Sequence, residues 1–398
     1  MRELEEKLQH ALLSRQKRNI LRRLPSALPL ADFCSNDYLS LASNATLRNT
    51  FFEKLQKADK ILGSGGSRLL MAVPTHDALE TRLARFFNAP TALLFNSGFD
   101  ANVGFFSCVP QELDVILYDE YIHASVHDGM RNSRARDATY MFKHNDLDSL
   151  ETLLRQIIAS HDDVRHGKSS VFVAIESLYS MDGDFAPLRE ILDLLDIMLP
   201  NKNGHLIVDE AHATGIYGEQ GRGLVSMLGL ETKVAVRLHT FGKALASSGA
   251  VILTTPIIRD YLINYARSLI YTTALSYANG ISIDCSLDVL ESELGQNSSP
   301  SPFLYLPTPL TNISSSQLIS PIIPLLTPRP RPLAAHLQEL GYLTRPITHP
   351  TVPKGLDRVR LCIHAGNTLE EVDGLLNGII SWIETQKVEK APPKRAKL

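Results

Sequence analysis

Lys243 stands in the segment His239-Thr240-Phe241-Gly242-Lys243-Ala244-Leu245-Ala246-Ser247-Ser248-Gly249, directly after a run of strand-forming residues. Its neighbours are small, so a flat molecule can approach the backbone closely. A lysine desolvated in such a place loses its proton more easily and can condense with a carbonyl to an imine. Taken alone, a lysine in a loop is more often a surface residue. Asp209, however, lies at the end of the earlier apolar run HLIVDE, and His212 lies three residues on. A carboxylate at a strand end, facing a pyridinium nitrogen, keeps that nitrogen protonated and so maintains an electron sink. His212 is then placed to reach a ring hydroxyl. The plainer alternative for Asp209 is a helix N-cap. Asn96-Ser97-Gly98-Phe99 lies between an apolar run and a helix-like stretch, where backbone N–H groups can hold a phosphate. His123, in YDEYIHAS, offers a ring that can stack on a pyridine, although a lone histidine is more often structural. The order strand, Asp, His, strand, Lys favours a pocket for pyridoxal 5'-phosphate (PLP), with Lys243 as its covalent anchor.

These residues need strand ends to hold them. The apolar runs TALLF (91–95), VILYD (115–119), VFVAIES (171–177), HLIVDE (205–210), VRLHT (236–240) and AVILT (250–254) alternate with helical stretches. Continuous apolar runs separated by helices indicate an α/β fold with a mostly parallel sheet covered on both faces. Ligands of such sheets bind beyond the carboxyl ends of the strands, where these polar residues fall. The chain of 398 residues is long enough for a large domain and a smaller one. The expected order is an N-terminal helix and arm over 1–45, with the helix itself over 1–30. Leu8, Leu12, Leu13, Ile20 and Leu21 lie loosely on one side of that helix. A large domain over 46–290 follows, then a Ser/Pro-rich linker or insertion over 291–332. A small α+β domain over 333–387 and a basic tail over 388–398 complete the chain.

Composition narrows the function. Lys and Arg number 40 against 43 Asp and Glu, so no global field favours nucleic acid or a membrane surface. No apolar run approaches the ~20 residues of a membrane span. The four cysteines, Cys34, Cys108, Cys285 and Cys362, are scattered, which points to reduced thiols and gives no support for a metal site. Gly63-Ser64-Gly65-Gly66-Ser67-Arg68 resembles a nucleotide loop only superficially, because it lacks the Gly-Lys-Ser/Thr of a P-loop. The N-terminus has neither the apolar core of a secretory signal nor the acid-poor character of a mitochondrial presequence. The tail ends Ala396-Lys397-Leu398, a small-basic-leucine address of the kind read by the peroxisomal import receptor. The expected location is therefore the peroxisome, and otherwise the cytoplasm.

Several segments together resemble the α-oxoamine synthases, PLP enzymes of the aspartate-aminotransferase fold (fold type I). They are SNDYL, GSGGSR, FNSGFDAN, HASVHDG, ESLYSMDGD, VDEAHATGIYGEQGRG, TFGK and IYTT, spread from about Asp32 to Thr273, with a resumption near Pro346. The resemblance implies a seven-stranded sheet and a homodimer with active sites at the interface. It implies that Lys243 carries the cofactor, Asp209 pairs with the pyridine nitrogen, His212 meets the ring hydroxyl and His123 stacks. It further implies that Ser180 and Thr240 hold PLP, that Gly98 and Phe99 line its phosphate side, and that Thr273 reaches the neighbouring subunit's phosphate. Arg360, aided by Asn36, would bind an amino-acid carboxylate, and Arg22 and Thr351 would contact an acyl substrate. The pattern is most similar to members that join L-alanine to pimeloyl-CoA. Sphingolipid-type, 5-aminolevulinate-type and polyketide-tailoring members are the alternatives, and an inactive scaffold subunit is a reading of another class. The chain departs from the family pattern in a short stretch before DFCSNDYL, in Met71-Ala72-Val73, and in 295–332, which stands where the family has a long helix.

Overall fold

The computed structural model describes residues 2–18, 20–22, 24, 29–292 and 318–389. In chain order its strands are β1 (Ala31–Asp32), β2 (Thr91–Phe95), β3 (Val115–Asp119), β4 (Thr139–Phe142), β5 (Val171–Glu176), β6 (Gly204–Asp209), β7 (Val236–Thr240), β8 (Ala250–Thr254), β9 (Ile322–Leu326), β10 (Tyr342–Leu343), β11 (Arg345–Ile347) and β12 (Arg358–Cys362). The chain divides into two compact units, Asn36–Ser320 and Met1–Ser35 with Pro321–Leu398.

The larger unit is built on a seven-stranded sheet in the order β2-β8-β7-β6-β5-β3-β4. Strands β3 to β7 run parallel, and β8 is antiparallel to both β2 and β7. Side chains alternate across a strand, so each strand feeds two cores. Leu93, Phe95 and Ile252 join one apolar cluster with Phe105 and Phe106 of the helix Gly98–Cys108. Ala92, Leu94, Val251 and Leu253 join the other, with Leu83 and Phe86 of the helix Pro74–Phe86 and Ile283 and Leu287 of the helix Tyr277–Glu291. Each fully buried side chain of this size contributes about 1.5–3 kcal/mol by leaving water. Burial on both faces accounts for the continuous apolar runs in the sequence. β4 was absent from the expected strands. It is an edge strand of four residues whose Met141 is exposed, so it lacks the apolar run that marks the central strands.

In the smaller unit β12 pairs antiparallel with β11 and β9, and β1 pairs parallel with β10. The helices Pro330–Glu339 and Leu369–Glu389 belong to the same unit. Its core contains Phe33, Leu333, Leu337, Val359, Leu361 and Leu375. The N-terminal helix expected over 1–30 is shorter, Arg2–Lys17, and its Leu8, Leu12 and Leu13 are exposed. The segment expected as an irregular linker over 291–332 already contains β9 and the start of the Pro330–Glu339 helix. Proline is accommodated in a first helical turn because the amide it lacks has no partner there. Residues 293–317 of that segment lie outside the described residues, as does the tail from 390 onward. No helix among the described residues is long and apolar enough to cross a membrane.

Candidate active site

The carboxyl ends of β3, β5, β6 and β7 bring four polar positions to one edge of the sheet: Asp119, Glu176, Asp209 and Thr240. Asp209 is buried, and its two oxygens are both engaged. Oδ1 accepts the Ala211 amide at 2.9 Å, and Oδ2 accepts Nδ2 of Asn102 at 2.9 Å. Residues 211–216 form turns, so Asp209 does not cap a helix. Nδ2 of Asn102 also donates to Oγ of Ser125 at 3.0 Å, and Oγ of Ser125 lies 2.7 Å from Nδ1 of His123. The Ser125 amide donates to the same Nδ1 at 3.2 Å, which makes that nitrogen an acceptor. A continuous polar chain thus links Asp209 to the ring of His123. Burial lowers the pKa of His123, the nearby Asp209 raises it, Lys243 lowers it again, and the net direction is down. The ring is therefore neutral near pH 7, and Ser125, by donating to Nδ1, fixes the tautomer that carries its proton on Nε2.

Lys243 follows β7 in a tight loop. The loop closes on itself through Phe241 N to Gly249 O (3.0 Å), Ser247 N to Phe241 O (2.8 Å) and Ala246 N to Lys243 O (2.9 Å). Gly249 takes φ 104°, and a Cβ there would sit 2.9 Å from Cδ1 of Leu275, so only glycine fits. Phe241, Ala244 and Leu245 are buried and anchor the loop, and Lys243 is half-buried. Its charge acts on both His123 and Glu176, which places the amine in the same polar cluster.

His212 is buried, and its Nδ1 lies 2.7 Å from the Tyr38 hydroxyl, which in turn reaches Oδ1 of Asn36 at 3.2 Å. Gly98 opens its helix with Ser97 as N-cap, whose Oγ accepts the Asp100 amide at 3.0 Å. A Cβ on Gly98 would lie 2.5 Å from Cγ2 of Thr240, so the helix N-terminus and the end of β7 meet without room for a side chain. Phe99 is exposed and sits edge-on to His123, with centroids 6.4 Å apart. Thr273 is exposed, and its carbonyl accepts Nδ2 of Asn96 at 2.7 Å, next to that helix start. The Ser180 backbone hydrogen-bonds the carboxyl of Glu176.

The larger unit thus brings together Lys243, Asp209 and His123, and it also holds His212, Thr240, Gly98, Phe99, Ser180, Thr273 and Asn36. Arg22, Thr351 and Arg360 belong to the smaller unit. There Arg360 is buried on β12, with a guanidinium nitrogen 2.9 Å from Sγ of Cys362, while Arg22 and Thr351 are exposed. Three residues went unassigned in the sequence. Asn102 is a buried amide among Ala101, Gly104 and Phe105 on an apolar helix, and that contrast was its available signal. Ser125 follows His123 within the N-terminal turn of its helix. Glu176 is the register partner of Asp209 across β5 and β6. Burial, and then the charge of Asp209, push its carboxyl well above the usual carboxylate range.

PLP fits this set: an amine on a closed loop, a buried carboxylate fixed by two donors, a neutral imidazole and a helix N-terminus that begins on glycine beside the end of β7. A family model for aminotransferase class I and II matches residues 29–379. An 8-amino-7-oxononanoate synthase from Emericella nidulans is 46% identical over 405 residues, covering 98% of each chain. The chain belongs to the α-oxoamine synthase branch of the class I and II aminotransferase family. As a member of this family it is a PLP-dependent enzyme of the acyltransferase type. Another relative, an aminoacyl transferase sphA from Aspergillus fumigatus, is 39% identical over 372 residues, covering 87% of this chain and 79% of that one. A serine palmitoyltransferase from S. paucimobilis with PLP bound superposes with a TM-score of 0.76 at 20% identity, covering 96% and 98% of the two chains. That likeness establishes the type I fold seen in the seven-stranded sheet. An 8-amino-7-oxononanoate synthase from Francisella tularensis superposes with a TM-score of 0.66 at 27% identity, covering 90% and 99%.

Proposed function

We propose that this enzyme condenses L-alanine with pimeloyl-CoA to give 8-amino-7-oxononanoate, CoA and CO2, a step of biotin synthesis. The observation that carries the reading is the 46% identity, over nearly the whole of both chains, to a synthase named for that product. PLP, when bound, takes up the electron pair left on the amino-acid Cα. In this reading Lys243 anchors the cofactor and, once released, its amine removes the Cα proton and later returns one. Asp209, held by Ala211 and Asn102, would set its carboxylate against the pyridine nitrogen. His123 presents a neutral face to the ring, and His212 addresses its hydroxyl. Ser180 and Thr240 hold the cofactor, and the amides at Gly98 and Phe99 receive the phosphate. Arg360, aided by Asn36, would bind the alanine carboxylate and so orient the amino acid for loss of its Cα proton. Arg22 and Thr351 contact the acyl chain. The enzyme works as a homodimer in which Thr273 reaches the neighbouring subunit's phosphate.

The second reading, a different amino acid or thioester, is favoured by the sphA relative. A panel of alanine, serine and glycine against pimeloyl-, palmitoyl- and succinyl-CoA, read by CoA release, separates the two. Alanine with pimeloyl-CoA is expected to exceed every other pair in kcat/KM by about tenfold or more, the discrimination a shaped pocket supplies. A higher value for serine with palmitoyl-CoA would replace the first reading with the second.

Ala396-Lys397-Leu398 is proposed as a peroxisomal address. An N-terminally fluorescent chain is expected in peroxisomes, and removal of Leu398 is expected to leave it in the cytosol. Unchanged peroxisomal signal after that removal would refute the address.

A further inference from the structure

Outside the cluster around Lys243 lies a second histidine with an unusual setting. Nδ1 of His144 is 2.8 Å from Oδ1 of Asp119, and Nε2 is 2.8 Å from Oδ2 of Asp184. An imidazole with carboxylates on both nitrogens must donate from both, and is therefore a cation. Its ring stacks on Tyr121 at 4.3 Å and meets the edge of Tyr179 at 4.4 Å. The next residue, Asn145, repeats the bridge. Its amide donates to Oδ2 of Asp119 at 2.9 Å, and its Nδ2 donates to Oδ2 of Asp184 at 3.0 Å.

The two carboxylates belong to two different loops of the site. Asp119 ends β3, holds the Tyr121 amide at 2.8 Å, and begins the loop that carries His123. Asp184 closes the turn after β5. In that turn the Tyr179 amide donates to the Asp184 carbonyl at 3.0 Å and the Gly183 amide to the Tyr179 carbonyl at 2.9 Å, with Ser180 at the tip. Leu178 and Phe185 pair across its base. β4 lies at the sheet edge next to β3, and β5 lies on the other side of β3, so His144 reaches past β3 to join the turn after β5.

We infer that His144 is a positioning residue that clamps the His123 loop to the Ser180 turn, fixing the spacing between the groups that face the cofactor ring and those that hold its edge. The inference rests on the reading that both loops face PLP. His144 touches neither group directly. It acts through Asp119 and Asp184. The charge persists across the working range: burial disfavours it, but the bonds to Asp119 and Asp184 outweigh burial and raise the pKa to about 10.

Three variants test the clamp. His144→Phe keeps a flat ring between Tyr121 and Tyr179 and removes both bonds. Asp184→Ala removes one arm at a half-exposed carboxylate, where truncation is tolerated. Asp184→Asn keeps an acceptor and serves as the conservative rescue. Hydrogen exchange of the cofactor-free chain reads the loops, equilibrium titration reads PLP affinity, and kcat and KM for alanine are read separately. In His144→Phe and Asp184→Ala, exchange is expected to rise about tenfold in 119–124 and 177–186, the equivalent of one charge-assisted bond, with β6 and β7 unchanged. PLP affinity and kcat should fall by a similar factor with little change in KM, and Asp184→Asn should stay within about threefold of wild type. Unchanged exchange in both variants, or a rise spread evenly over the sheet, would overturn the clamp. His123→Ala is the control for the underlying reading. If it leaves PLP affinity untouched, the assignment of the loop to the cofactor fails, while the exchange result still decides the clamp.

Discussion

Replacing Lys243 with alanine is expected to leave a folded chain that holds PLP only non-covalently and turns over about ten-thousandfold more slowly. Two losses combine: the tethered amine, whose effective concentration beside the substrate is very high, and the general base that exchanges the Cα proton. Folding should survive. Phe241, Ala244 and Leu245 supply the buried anchor of the loop, and the backbone bonds from Phe241 to Gly249 do not involve the lysine side chain. Absorbance of the purified protein reports the covalent linkage, circular dichroism reports the fold, and CoA release reports turnover. A variant with wild-type turnover would remove Lys243 from the mechanism.

Asp209→Asn is expected to separate cofactor binding from catalysis. An amide oxygen at this position can still accept the Ala211 N–H, while Nδ2 of Asn102 loses its acceptor to the new NH2 group, a local cost of about one hydrogen bond. The negative charge that would face the pyridine nitrogen is lost, and with it the preorganised electrostatics that raise the electron demand of the ring. Removing one such interaction in a dry site lowers kcat by about a hundredfold or more. PLP affinity should change by less than about tenfold, because Lys243 and the amides at Gly98 and Phe99 are untouched. Glu176 supplies an internal check. Burial and, next, the charge of Asp209 push its carboxyl up, so the variant should let it ionise at lower pH. A variant within a few-fold of wild-type kcat would mean that Asp209 does not act on the bound ring.

The parts of this site that were legible in the sequence are those whose meaning is local. Lys243, Asp209, His212 and His123 each follow a strand-like run, and strand ends are where α/β sheets bind ligands. The strands themselves announced themselves because burial on both faces demands unbroken apolar runs. β4 did not, since an edge strand with an exposed Met141 needs none. Asn102, Ser125, Glu176 and His144 act through partners far along the chain: Asn102 meets Asp209, Glu176 is set beside it by the β5–β6 register, and His144 spans from Asp119 to Asp184. Register and loop packing are products of the fold, and no spacing within one segment encodes them. The prolines at the end of the segment expected as a Ser/Pro-rich linker, Pro328, Pro330 and Pro332, act in the opposite direction. They read as a breaker, yet Pro330 starts a helix, where a missing amide costs nothing.

Reductive trapping shows directly whether this chain carries PLP on Lys243. The holoenzyme is reduced with sodium borohydride, digested and mapped by peptide mass spectrometry. A phosphopyridoxyl group is expected on the peptide bearing Lys243 and on no other lysine peptide. A modified peptide lacking Lys243, or no modified peptide in a catalytically competent preparation, would contradict it.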